Sequence, residues 1–342
     1  MYAFTGNPVL IRPINPVVFR WGGEYSPILT GPMNKGSSEP FPLPSTIAGF
    51  LYWISQGANV ETKTGDVTQS EGNPDINEDY KTISKVEIFG PFFYAKGTDE
   101  KGNDKICLVI HQYPKKLTII NEECKTKEKT FDPVYVNKIG IGHEIAKKQA
   151  HTDKGLIYTV EYVDYYATAV EKLGLKEVKE YGILVYTNAK VEQGFYPFGS
   201  EGRVVEVKEG EDVIKEVKIF DSNVYILSPI ILKANESPSP LIISSDANNL
   251  VVDENNGKKI TVSDFALSTI RLSLIGLGFN VKYNIKRPIY LAIMPGEIEA
   301  KDEKEEFNAL LNKLDQKPSK FLKLGLFDKI WGSMLIGGGY NG

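Results

Sequence analysis

The run Phe41-Pro42-Leu43-Pro44-Ser45-Thr46-Ile47-Ala48-Gly49-Phe50-Leu51-Tyr52-Trp53 constrains this chain more than any other stretch. A proline disfavours helix in the residue before it, so Pro44 keeps Leu43 extended. Ser45 or Thr46 can then cap a first turn, and an apolar helix follows. Gly49 marks a point where a neighbour can approach closely. Bare amides and hydroxyls at such a helix start also suit a phosphate. Two readings therefore stand side by side: a capped helix entering a core, and a helix start that holds a phosphate.

Three further segments accompany it: Ile14-Asn15-Pro16-Val17-Val18-Phe19-Arg20-Trp21-Gly22, Ile88-Phe89-Gly90-Pro91-Phe92-Phe93, and Gly194-Phe195-Tyr196-Pro197-Phe198-Gly199-Ser200-Glu201-Gly202-Arg203. In this order the set resembles the RAMP superfamily of CRISPR proteins, and within it the third-subunit family of the type III-B (Cmr) effector complex. That family typically carries D-P-L-x-F-R-[DG]-G, F-P-x-P-S-T-I-A-G, G-G-E-G-R, G-G-W and V-P-x-G-S elements. The last two correspond here to Gly276-Leu277-Gly278-Phe279 and Met294-Pro295-Gly296-Glu297, both visibly degraded. The resemblance runs from about Leu10 to the C-terminus.

The resemblance implies an α+β fold of two ferredoxin-like (RRM-like) domains with a projecting hairpin and long loop insertions. The expected division is 1–190, with a thumb-like insertion, and 191–342, with a glycine-rich tail. It also implies a non-catalytic subunit that holds the 5′ repeat-derived tag of the CRISPR RNA. Its partners are then the large polymerase-like Cmr subunit and the backbone RAMP subunit. Other RAMP proteins cut precursor CRISPR RNA without metal, so an endoribonuclease is the alternative.

Bulk properties fit this frame. At 342 residues the chain exceeds what one core usually organises. No apolar run reaches membrane-spanning length and no leader is apparent, so a cytoplasmic protein without a membrane partner is expected. The two cysteines, Cys107 and Cys124, lack metal-ligand spacing and read as reduced thiols. A net charge of −4 argues against a broad phosphate-neutralising surface. RNA must be gripped locally, or inside an assembly.

Along the chain, residues 9–20 read as an edge or bulged strand because Pro13 and Pro16 interrupt them. Strands are expected over 85–94, 106–112, 156–166, 181–187, 203–207, 224–232 and 287–293. Helices are expected near 171–180 and over 263–274 and 302–314, and residues 59–79 read as a polar insert.

Chemistry is sparse. The three histidines (His111, His143 and His151) form no zinc spacing, and no nucleotide-binding glycine loop occurs, so no cofactor or metal is expected. Residues 138–154 hold four lysines, His143 and His151, but only two acids. They read either as a solvated basic loop or, by the resemblance, as a thumb over the guide. Lys147, Lys148, His151 and Thr152 are its candidate RNA contacts. Arg203 sits beside a glycine-flanked turn that can form an anion nest, or can pair with Glu201 and merely stabilise itself. Arg20, next to Trp21, either grips RNA or pairs with a carboxylate across the sheet. With Ser45 and Thr46, these complete the candidate RNA-binding set. Residues 337–339 are a glycine run that is either a free tail or backbone pressed on RNA.

Overall fold

The computed structural model describes residues 6–21, 35–55, 85–146, 149–199, 203–220, 224–234, 250–251, 259–260, 271–277, 279–280, 285–286, 289–298, 321–323 and 329–336. Up to residue 209 the strands are β1 (Asn7–Pro13), β2 (Lys35–Gly36), β3 (Ile88–Thr98), β4 (Asp104–Gln112), β5 (Lys116–Ile119), β6 (Thr130–Phe131), β7 (Tyr135–Ala146), β8 (Gln149–Val163), β9 (Glu177–Thr187), β10 (Gly194–Pro197) and β11 (Val204–Glu209). The helices are α1 (Pro44–Ser55), α2 (Tyr165–Glu171) and the short α3 (Val213–Glu216).

One antiparallel sheet of eight strands organises this part, in the order β10-β11-β1-β9-β3-β4-β5-β6. It is buried on both faces. Ile11, Phe93, Val109, Ile183 and Val207 point to the side covered by Ile47, Leu51 and Ile54 of α1 and by Tyr165 and Ala169 of α2. Leu10, Phe92, Tyr94, Leu108 and Leu184 point to the other side, where Val213 and Ile214 of α3 cover them. Two-sided burial explains why these strands read as continuous apolar runs rather than as alternating ones.

Later strands are β12 (Val224–Ile226), β13 (Ile230–Ala234), β14 (Leu250–Val251), β15 (Lys259–Ile260), β16 (Leu272–Gly276), β17 (Phe279–Asn280), β18 (Ile285–Lys286), β19 (Ile289–Ile293), β20 (Gly296–Ile298), β21 (Phe321–Lys323) and β22 (Ser333–Ile336). They form sheets ordered β20-β12-β22-β21 and β15-β14-β13-β19-β16, with β17 and β18 paired separately. Ile231, Ala292, Met294 and Trp331 join the first core face, while Tyr225, Leu227 and Leu335 join the second. The fold is thus α+β and mostly antiparallel; among the described strands, β2 and β8 form the parallel pair.

Several expectations are corrected. β1 is internal, between β9 and β11, and not an edge. Pro13 is its last residue, where a missing N–H costs the ladder little, and Pro16 lies beyond it. The expected division at 190 falls between β9 and β10, inside the eight-stranded sheet, because β11 pairs with β1.

The helix expected near 171–180 lies earlier, at Tyr165–Glu171, and takes the last residues of the expected strand 156–166. Its N-cap is Asp164, whose side chain accepts the Ala167 N–H. The expected strand 224–232 is two strands, β12 and β13, parted at Ser228-Pro229. Residues 272–274, assigned to a helix, begin β16 and pair with β19. A Cβ on Gly49 would meet nothing within 4 Å, so no neighbour presses on that glycine. The two cysteines are joined in a Cys107–Cys124 disulfide rather than free, their Cα atoms 5.0 Å apart. The polar insert 59–79, the 302–314 segment and the 337–339 run lie outside the described residues.

Candidate nucleic-acid interface

The segment leading into α1 is held from several sides. The Phe19 N–H donates to Ser38 Oγ at 2.9 Å and the Glu39 N–H to the Phe19 carbonyl at 2.8 Å. Trp21 Nε1 donates to the Phe41 carbonyl at 2.6 Å, and the Tyr165 hydroxyl donates to that of Pro40. Glu39 reaches inward, where its carboxylate lies 3.1 Å from His111 Nε2 and accepts the Lys115 N–H at 3.0 Å. His111 is buried, with the Trp21 ring edge-on at 4.7 Å. Burial, together with the nearby Glu39 carboxylate, raises the Tyr135 pKa, and burial raises that of Tyr165; both phenols stay protonated. Sequence reasoning missed this Glu39–His111 contact because 72 residues separate the partners and no local pattern marks either.

α1 starts at Pro44 itself, so its cap position is Leu43, which has no side-chain oxygen. Pro44 suits that first position because its absent N–H is one the helix leaves unpaired anyway. Ser45 is therefore not the cap. It is buried, and its hydroxyl donates to the Leu277 carbonyl at 2.9 Å. That contact ties the first motif to the degraded element at 276–279. Thr46 is exposed on the first turn. The other degraded element packs on the end of β4: the Glu297 N–H donates to Gln112 Oε1 at 2.8 Å, and the Tyr113 N–H to the Pro295 carbonyl at 3.0 Å.

β7 and β8 form a long antiparallel hairpin, from Tyr135↔Val163 at its root to Ala146↔Gln149 at its tip. The stretch that read as a basic loop or a thumb is a hairpin. His143 pairs with Thr152 and His151 with Glu144, so the two histidines occupy neighbouring rungs and are not paired with each other. Lys147 and Lys148 lie outside the described residues. The hairpin root is fastened to the motif containing Arg20 by two backbone bonds, Val17 N–H to the Val163 carbonyl at 3.0 Å and the reverse at 2.7 Å.

Two cations meet at this root. Lys138 and Val160 are cross-strand partners, and Tyr162 lies two residues along on the same face. Tyr162 packs with Val18 and Val160. The Lys138 Nζ lies 5.3 Å, and the Arg203 Cζ 4.9 Å, from the centre of the Tyr162 ring. Such cation–π placement fixes a charge in direction without neutralising it. The Arg203 turn is closed by the Phe198 N–H donating to the Arg203 carbonyl at 2.7 Å. Gly199 has φ +76°, and a Cβ there would meet the Phe19 ring at 3.4 Å. Phe198 contacts Phe19 and Phe50 of α1, with ring centres 5.8 and 4.6 Å apart. The anion-nest residues 200–202 lie outside the described residues.

The structure thus gathers the segment ending in exposed Arg20, the start of α1, the Arg203 turn and the hairpin root around Phe19 and Tyr162. Lys138 and Tyr162 were not singled out as site residues, although a lysine in the basic stretch and a tyrosine alternating with Val160 were visible. Among the described residues, no group of three or more His, Cys, Asp or Glu side chains could hold a metal ion. No helix there is long and apolar enough to cross a membrane.

This chain is 26% identical over 327 residues to the CRISPR system CMR subunit Cmr3 of Saccharolobus solfataricus, a match covering 93% of each protein. The chain is Cmr3-like. The family resemblance read from the ordered motifs is borne out along nearly the whole length. No family model matches the chain. Two chains from solved structures are also similar. One comes from a cryo-EM structure of the Type III-B Cmr-beta bound to cognate target RNA and AMPPnP, with TM-score 0.48 and 16% identity over 95% of this chain and 98% of that one. The other comes from a cryo-EM structure of the Type III-B Cmr-beta bound to cognate target RNA, with TM-score 0.47 and 17% identity over 92% of this chain and 96% of that one.

Proposed function

We propose that this Cmr3-like chain is a non-catalytic, cytoplasmic subunit of a type III-B effector complex that holds the 5′ repeat-derived tag of the CRISPR RNA. In this reading it contacts the large polymerase-like subunit and the backbone RAMP subunit, and its two halves are ferredoxin-like modules. The reading is carried by the end-to-end similarity to Cmr3. It is supported by the hairpin root, where Arg203 and Lys138 are aimed by one buried tyrosine beside the segment that bears Arg20. A single RNA strand is recognised through local phosphate, sugar and base contacts on splayed nucleotides. A chain of net charge −4 with a few directed cations suits that better than a broad basic surface.

In the proposed complex the β7–β8 hairpin is the thumb, with His151 and Thr152 on its returning strand, and Lys147 and Lys148 are among its RNA contacts. Thr46 stands at the exposed start of α1. Ser45 acts from the interior, by holding that start in place through Leu277.

The test is affinity purification of the tagged chain from its native cells, with mass spectrometry of the partners and sequencing of bound RNA. Recovery of Cmr-type subunits with RNAs sharing one 5′ repeat-derived end is expected. Purification without them overturns the assembly. In parallel, the purified chain is incubated with repeat RNA in EDTA; intact RNA is expected, and cleavage at a defined position overturns the non-catalytic reading.

A further inference from the structure

A cleft of about 790 Å³ opens between the β3–β4 turn, the loop after Cys124 and the end of α2, on the opposite end of α2 from the hairpin root. Its charged lining comprises six lysines (Lys101, Lys105, Lys125, Lys127, Lys172 and Lys176) against four carboxylates, a balance of +2 in a protein of net charge −4.

The carboxylates offset part of that charge and leave the lysines in excess. Asp99 is turned onto its own loop, accepting the Lys101 and Asn103 N–H groups at 2.8 and 2.9 Å. Glu100 is exposed and lies 3.4 Å from Lys176. Lys105 Nζ bridges the two walls, donating to the Lys125 carbonyl at 2.9 Å and the Leu173 carbonyl at 2.8 Å. It is solvated by backbone dipoles, and burial lowers its pKa while the Asp99 charge opposes that shift. Among the described residues, Lys101, Lys125, Lys127 and Lys172 form no ion pair. The loop carrying Lys125 and Lys127 is pinned at Cys124 by the disulfide to β4, so these charges hang from a fixed wall.

We infer that this cleft is a second contact for single-stranded nucleic acid, gripping its phosphodiester backbone without reading bases. Lysine is a point-charge phosphate ligand, and stacking recognition needs exposed rings. The aromatic residue of the cleft, Phe131, is buried, so no stacking platform is present. The seven residues of α2 span about 10 Å, a gap an extended strand of two or three nucleotides bridges. The cleft proposal stands apart from the tag-holding role of the hairpin, and the two fail separately.

The experiment measures binding of the full chain to fluorescent oligouridine across a salt series, for wild type and for the exposed-loop variant Lys125→Gln with Lys127→Gln. Each lost single-strand phosphate contact removes about 0.7 from the slope of log affinity against log salt, so the slope should fall by about 1.4. Binding should be about 25-fold weaker at 0.1 M salt and should converge with wild type near 1 M. The same loss should appear with oligoadenosine, and thermal melting should be unchanged. A wild-type slope in the variant overturns the proposal, as does no measurable binding of wild type at 50 mM salt. Equal competition by polyglutamate, abolished in the variant, also overturns it and makes the cleft a site for acidic peptides. Lys147→Ala with Lys148→Ala is measured alongside. A loss there with none in the cleft variant leaves the hairpin role standing and removes only the cleft.

Discussion

Replacing Ser45 with alanine separates a structural from a ligand-binding role for the start of α1. The Ser45 hydroxyl donates to the Leu277 carbonyl across 232 residues of chain, and both residues are buried. A typical net hydrogen bond contributes about 0.5–1.5 kcal/mol, but a buried acceptor left unpaired costs about 1–3 kcal/mol. The second figure applies, because both residues are buried. At about 2–4 °C per kcal/mol, Ser45→Ala should lower the thermal midpoint by roughly 2–12 °C. Thr46→Ala, at an exposed position that caps nothing, should move it by no more than about 0.5 kcal/mol. Scanning fluorimetry gives the midpoints, and hydrogen exchange should show Ser45→Ala loosening α1 and residues 272–277 together. A Ser45→Ala protein as stable as wild type, with exchange unchanged at both places, refutes the reasoning.

Three other perturbations have worked expectations. Reducing Cys107–Cys124, which closes a span of 17 residues, should cost about 3 kcal/mol, and melting with and without a phosphine reductant checks it. Gly97→Ala puts a Cβ 2.2 Å from the Glu177 carbonyl at the shift in β3–β9 pairing; it should cost about 1–3 kcal/mol in urea titrations, and a neutral result denies the close approach. Glu211 accepts from Lys96 Nζ at 2.6 Å and from the Tyr94 hydroxyl at 3.0 Å, and these bonds hold its carboxyl below the usual range. A lowered carboxyl stabilises fully at neutral pH and loses that contribution as pH falls below about 4.5 and through its folded value, so the gap between wild type and Glu211→Gln should close on acidification.

How much was legible depended on how local each determinant is. Strands β3, β4, β9 and β11 are apolar runs bounded by turns, and they were found within a few residues. Asp164 is a local cap, yet it was read as part of a strand because the aromatic residues after it have high β propensity. The internal place of β1 could not be read, since it depends on pairing with β9 and β11 far along the chain. The disulfide was misjudged for the same reason: spacing says nothing about whether β4 and the Cys124 loop lie side by side. At the candidate interface, the motif order pointed to Arg20, Thr46 and Arg203. Tyr162, which aims Arg203 and Lys138, became visible only once β8 was seen to lie against Val18.

The position of β1 has a consequence for how the chain is made. β1 is translated first among the strands of the large sheet, yet its partners β9 and β11 begin at Glu177 and Val204. About 190 residues separate Pro13 from Val204, so at roughly 5–20 residues per second β1 waits about 10–40 s for its second neighbour. Val9, Leu10 and Ile11 are an apolar strand with two open edges until β9 emerges, and with one open edge until β11 does. A sheet closed by such distant pairing also folds slowly once complete. Chaperone contact with the first fifteen residues is therefore expected to end when β11 emerges, and not at the close of any N-terminal module.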